Sequence, residues 1–161
     1  MKVTIIRGLP GSGKSTAARK LAAATGAIII EPDQMLITDG RYDYSTARYK
    51  LAIERCMMIL ELLTGWEYDT KDAKIRPDII YTDVLPLASD VTAVMSHVLT
   101  GGMLEVITQD EQPDLRHCSN RHGVDPRDMR RMVRIFERLA DDDGGDGRHF
   151  CAAGRMFPEV E

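Results

Sequence analysis

The chain has few cysteines and no long apolar run. Its three cysteines, Cys56, Cys118 and Cys151, are odd in number and scattered through 161 residues. They offer no disulfide framework and fit a reducing compartment. No apolar run approaches the roughly 18 residues that would mark a membrane helix. The first residues enter a strand-like run at once, so no secretory leader is expected and the expected location is cytoplasmic. No internal repeat is present, which argues against a solenoid. The body also lacks an excess of charge of either sign. The net charge of −4 comes from residues 141–161, which hold six acids against Arg148 and Arg155, leaving 19 acids and 19 bases in residues 1–140. Charge balance therefore neither demands nor excludes a nucleic-acid partner.

What is present begins with Gly8-Leu9-Pro10-Gly11-Ser12-Gly13-Lys14-Ser15-Thr16. This fits G-x-x-x-x-G-K-[ST], a loop that cradles phosphates. Glycines let backbone N–H groups curl around phosphate oxygens that side chains would obstruct. Lys14 can reach the β- and γ-phosphates, and the Ser15 hydroxyl can ligate Mg2+. Residues 2–6 read as a buried strand, and residues 16–25 as a helix ending at Gly26. The helix N-terminus would point at the phosphates.

Further along, residues 27–30 are apolar and β-branched and read as a second buried strand of a parallel sheet. Glu31-Pro32-Asp33 follows. In open α/β sheets the strand carboxyl ends line the ligand crevice, so Asp33 is either a reacting group or a turn aspartate. Asp39-Gly40 signals a turn. From a Ser45 N-cap to Leu63, Tyr49, Ile53, Cys56, Leu60 and Leu63 recur at spacings of 4, 3, 4 and 3, a helical core face. Residues 64–77 read as a polar excursion or loop. Residues 78–83 form a third strand ending in Asp83, the expected position of a carboxylate supporting Mg2+ or, alternatively, of a turn aspartate. A helix over 88–100, with His97 at the edge of its packing, and a strand over 103–108 follow. The alternation implies a three-layer α/β fold: a parallel sheet of about four or five strands with helices on both faces. Right-handed crossovers would bring Asp33 and Asp83 to the edge that holds the phosphate loop.

Asp125 as N-cap and Pro126 at the first helical position open a last helix. Met129, Met132, Val133, Phe136 and Leu139 cluster on one side of it, and Arg127, Arg130, Arg131, Arg134 and Arg138 on the other. That stripe reads either as a solvated face or as a surface for a nucleic-acid backbone. Arg116 and Arg121 precede the helix on a lid-like loop, residues 113–124, that could close over a nucleotide and neutralise a transferred phosphoryl group. The spacing of His117, Cys118, His122, His149 and Cys151 fits no standard zinc pattern. Residues 141–161 read as an acidic, Gly-rich tail after a kinase-like body of residues 1–140.

Together these pieces resemble the P-loop polynucleotide kinase family and related small kinases of the AAA type. The resemblance covers residues 1 to about 140. It rests on the Gly8–Thr16 loop, Asp33 after the second strand, Arg41-Tyr42-Asp43-Tyr44 before the long helix, Thr82-Asp83, and Asn120-Arg121-His122-Gly123-Val124-Asp125-Pro126. It implies ATP and Mg2+ as cofactors. Gly8, Pro10, Gly11, Ser12, Gly13, Lys14, Ser15 and Thr16 would hold the nucleotide with Arg116 and Arg121. Asp33 would be the general base, with Lys14 and Arg116 on the transferred phosphate. Ser15 and Asp83 would support the metal, and Arg41, Asp83, Arg131 and Arg134 the acceptor. Gln34 stands where members of that family often carry a second acid, and Leu36 near where a phage member of it carries an acceptor-binding arginine. The implied reaction is phosphorylation of a hydroxyl on a nucleic acid, DNA more than RNA, by default a 5′-OH end. A hydroxymethylated pyrimidine base is the close variant. A nucleoside or small-metabolite kinase and a non-catalytic ATP-binding switch are the rivals.

Overall fold

The computed structural model describes residues 1–65, 77–99, 103–109, 124–136 and 148–152. The elements follow as β1 (Lys2–Gly8), α1 (Lys14–Thr25), β2 (Ile28–Ile30), a 3-10 turn (Pro32–Leu36), β3 (Ile37–Thr38), β4 (Arg41–Tyr42), α2 (Thr46–Gly65), β5 (Ile79–Asp83), α3 (Ala88–Met95), β6 (Met103–Gln109), α4 (Pro126–Ile135) and β7 (Arg148–Ala152). The main sheet has the order β2-β5-β1-β6-β7. Its first four strands are parallel, and β7 joins β6 antiparallel.

Strand periodicity of two sorts β1 into two cores. Val3 and Ile5 face a cluster with Cys56 and Leu60 of α2 and Val91 and Val94 of α3. Ile6 and Ile80 face Ala18 of α1 on the other side. Covering both faces is what a parallel sheet requires, and it explains why β1 and β5 are apolar runs rather than alternating ones. Each large aliphatic side chain buried this way contributes roughly 1.5–3 kcal/mol. The three-layer α/β P-loop fold expected from the sequence is thus the observed one.

Four local features differ from the sequence reading. β2 is an edge strand, so Ile28 is 39% exposed rather than buried. Helix α3 stops at Met95, short of residue 100, because residues 97–99 are drawn to the end of α2. There the Leu99 N–H donates to Thr64 Oγ1 at 3.0 Å, and His97 Nδ1 meets Glu61 Oε1 at 2.6 Å. Helix α4 ends at Ile135, and Phe136 turns extended so that its ring lies 4.4 Å from the Arg7 guanidinium carbon. Arg138 and Leu139 lie outside the described residues, as does most of the 64–77 excursion. Residues 148–152, read as part of a tail, form β7 and extend the sheet.

Candidate active site

The phosphate loop leaves β1 at Gly8 and enters α1 at Lys14. Gly11 and Gly13 have φ of 82° and 89°, left-handed values that suit glycine. Gly13 is the N-cap of α1, and no side chain caps that end. The Ser12 N–H donates to the Leu9 carbonyl at 3.1 Å, closing the loop on itself. Ser12 Oγ is buried without a hydrogen-bond partner among the described residues. A Cβ added at Gly13 would stand in open space. An uncapped helix N-terminus, an orphaned buried hydroxyl and an open glycine suit an anion with several acceptor oxygens. Lys14 folds over the loop, donating to the Leu9 carbonyl at 2.9 Å. Burial lowers its pKa, opposed by Asp83, Asp33 and Glu31 in that order.

Those three carboxylates come from neighbouring strand ends. Asp83 closes β5, whose register sets it beside Arg7 of β1. The chain then leaves the sheet at Val84-Leu85-Pro86, where a proline ends strand pairing. Leu85 has φ of 43°, and the Pro86 carbonyl accepts from the buried Arg7 guanidinium at 3.2 Å. Asp83 Oδ1 accepts from Tyr49 OH at 2.6 Å and the Val84 N–H at 2.7 Å, and Oδ2 from Tyr81 OH at 3.4 Å. Burial pushes the Asp83 carboxyl up, against the pull of Tyr49, the Val84 N–H and Lys14, while Asp33 adds to the push. The same burial, beside Asp83, raises the Tyr49 and Tyr81 hydroxyls, so both remain donors.

Glu31 and Asp33 flank Pro32 at the end of β2. Ser15 Oγ donates to Glu31 Oε1, and Gln34 Nε2 to Glu31 Oε2 at 3.3 Å. Asp33 Oδ1 accepts from Tyr42 OH at 3.0 Å. Burial and Asp33 together raise the Tyr42 hydroxyl. The Ser15 hydroxyl with nearby carboxylates is a hard oxygen donor set of the kind Mg2+ takes. The structure therefore brings Gly8–Ser15, Glu31, Asp33 and Asp83 to one sheet edge. Arg41, on β4, is exposed, and Thr16 is exposed on the first turn of α1. Arg131 and Arg134 are exposed on α4 beside Arg127 and Arg130. The contact between Phe136 and Arg7 ties the residue that follows that helix to the residue that precedes Gly8. Arg116 and Arg121 lie outside the described residues.

Residues 3–140 match the AAA domain family. The chain belongs to the AAA domain family. No curated protein matches it. Solved structures that this AAA domain is similar to include a chain of the Pnkp1/Rnl/Hen1 RNA repair complex, at 18% identity and TM-score 0.62, over 84% of this chain and 43% of that one. The present chain thus spans under half of that protein. A gluconokinase from Sinorhizobium meliloti 1021 matches at 14% identity and TM-score 0.54, over 91% and 79% of the two chains. A sugar kinase from Janibacter sp. HTCC2649 matches at 14% identity and TM-score 0.56, over 91% and 83%. The α/β P-loop architecture is one that this chain shares with these kinases, as the resemblance to the small AAA-type kinases implied.

The AAA domain's carboxylates have partners that the sequence reading passed over. Tyr49 reads as one more member of a core stripe. Tyr49 is in fact half-buried, its ring against Tyr44, and its hydroxyl meets the buried Asp83, which needs donors. Glu31 lies two residues before Asp33, and only the turn after β2 shows that its carboxylate meets Ser15. Arg7, one residue before the loop, looks like a break in an apolar strand, which is the one local sign that this strand end is not ordinary core.

Proposed function

We propose that this AAA domain is an ATP- and Mg2+-dependent kinase that transfers the γ-phosphate to a hydroxyl on a nucleic acid, by default a polynucleotide 5′-OH. The observation that carries this is the convergence of Lys14, Asp33 and Asp83 at one sheet edge: the phosphate loop leaves β1 beside the end of β5, which Asp83 closes, and Asp33 follows β2, the next strand over. In the proposed reaction Gly8–Thr16 hold the triphosphate. Ser15, with Glu31 and Asp83, would hold Mg2+, which would supply charge neutralisation on the phosphates. Asp33 takes the proton of the attacking hydroxyl as its oxygen bonds to the γ-phosphorus and ADP leaves. Lys14 balances charge on the transferred group, with Arg116 and Arg121 added from the lid. Arg41 and the exposed arginines Arg131 and Arg134 suit the acceptor's phosphates, through bidentate contacts a lysine would not make.

The similarity in fold to a chain of an RNA repair complex supports a nucleic-acid acceptor. The similarity in fold to a gluconokinase and a sugar kinase keeps a small hydroxyl compound as the second reading. The test offers γ-labelled ATP and Mg2+ with 5′-OH DNA, 5′-OH RNA, DNA carrying hydroxymethylated pyrimidines, nucleosides and sugars. Label on a nucleic-acid 5′ end is the expected result, and label at an internal base selects the modified-pyrimidine variant. Label confined to a sugar selects the second reading. Nucleotide binding without transfer to any acceptor selects a switch.

A further inference from the structure

Three tyrosines run outward from the two carboxylates. The inner two are Tyr42, bonded to Asp33, and Tyr49, bonded to Asp83. The third, Tyr44, touches both rings. It stacks on Tyr42 with centroids 6.5 Å apart and 14° between planes, and it tilts against Tyr49 at 5.8 Å and 45°. Tyr44 is 56% exposed. Its segment is braced. The β3–β4 turn is closed by Asp39 and Gly40 at φ of 51° and 75°. The Asp43 N–H donates to the Leu36 carbonyl at 2.9 Å. Arg48 of α2 pairs with Asp43 and donates to Thr38 Oγ1 at 2.8 Å. An aromatic ring is thus held, more than half in solvent, in the braced segment between β4 and α2, stacked on the tyrosine that bonds the candidate base. Core packing does not account for that exposure.

We propose that Tyr44 is the stacking platform for the nucleobase of the nucleotide whose hydroxyl is phosphorylated. The inference rests on the nucleic-acid reading above and sharpens it: the acceptor presents a base as well as a hydroxyl. Every base has a π-face, so the platform selects for the presence of a base and not for its identity. An acceptor without a base gains little there.

The test is steady-state kinetics with a 5′-OH oligonucleotide whose first nucleotide is either intact or abasic, using wild type, Tyr44→Ala and Tyr44→Trp. Tyr44→Ala should raise KM for the intact acceptor by roughly fivefold to 150-fold, the range of one base–aromatic stack, with KM for ATP unchanged. Tyr44→Trp should restore it. Removing the base should cost the wild type a similar factor and cost Tyr44→Ala little more, because the two changes delete the same contact. An unchanged KM for the intact acceptor in Tyr44→Ala overturns the platform, and so does a base effect that persists in that variant. The unchanged KM for ATP shows that the variant is folded. If the wild type labels nucleic acids while Tyr44→Ala matches it, the platform alone fails. If the wild type labels no nucleic acid, the parent reading fails as well. A free nucleoside run in parallel shows whether the base must arrive on a polynucleotide.

Discussion

Asp83 shows how this site uses buried charge. It sits at 7% exposure with two tyrosine hydroxyls and a backbone N–H on its oxygens, close to Lys14. Those bonds favour the carboxylate, yet desolvation outweighs them and the pKa rises from its ordinary value of 3.8. A carboxyl whose folded value is raised binds its proton more tightly in the folded state. Its contribution to stability is fully present below the unfolded value and is lost as pH rises through the raised folded value. Wild-type stability relative to Asp83→Asn, measured by urea denaturation of nucleotide-free protein, should therefore fall as pH rises across that window and then level. A difference that does not vary with pH would show that the Tyr49 and Lys14 interactions cancel the cost. Among the described residues, Cys56 is likewise set by burial: its thiol is pushed up to about 12 and it packs in the core, so it is structural rather than nucleophilic.

At the scale of elements, α4 carries the surface that separates the rival acceptors. Asp125 caps it, accepting from the Arg127 N–H at 2.6 Å, Met129 is buried, and Arg127, Arg130, Arg131 and Arg134 point to solvent. Double reversal, Arg131→Glu with Arg134→Glu, should raise KM for an oligonucleotide and leave KM for ATP unchanged. It should also reduce the slope of log affinity against log salt by about 1.4–1.8, since each of the two phosphate contacts contributes roughly 0.7–0.9. A small acceptor predicts no change in either. Much of this element was legible in advance, because Asp125-Pro126 and the apolar spacing are local signals. The phosphate loop was more legible still, since its glycines have one local conformational purpose. What was not legible depends on contacts distant in sequence. The pairing of Tyr49 with Asp83 spans 34 residues, and no periodicity encodes it. The end of α3 is set by Thr64 of α2, and the exposure of Ile28 by a strand order that leaves β2 at the edge among the described residues.

Across the whole molecule, the parallel strands β2, β5, β1 and β6 deliver the loop and its carboxylates to one edge, and β7 closes the other side of β6. Deleting residues 148–161 should bare the backbone of β6, lower the melting temperature and shift light scattering toward larger species, since an open strand edge recruits another chain. An unchanged melting temperature would mean that β7 adds nothing to the body. The fold itself would be shared by a kinase and by a nucleotide-binding switch. What distinguishes them is whether Asp33 turns the phosphate grip into transfer. The deciding measurement is the single-turnover rate of label transfer from γ-labelled ATP to a 5′-OH oligonucleotide by wild type and Asp33→Asn, with ATP affinity measured on the same preparations. General-base assistance is worth about 10²–10⁴-fold, so Asp33→Asn should lose a factor of that order while binding ATP nearly as well as the wild type. Equal transfer rates, or a loss that follows ATP affinity, would contradict Asp33 as the base.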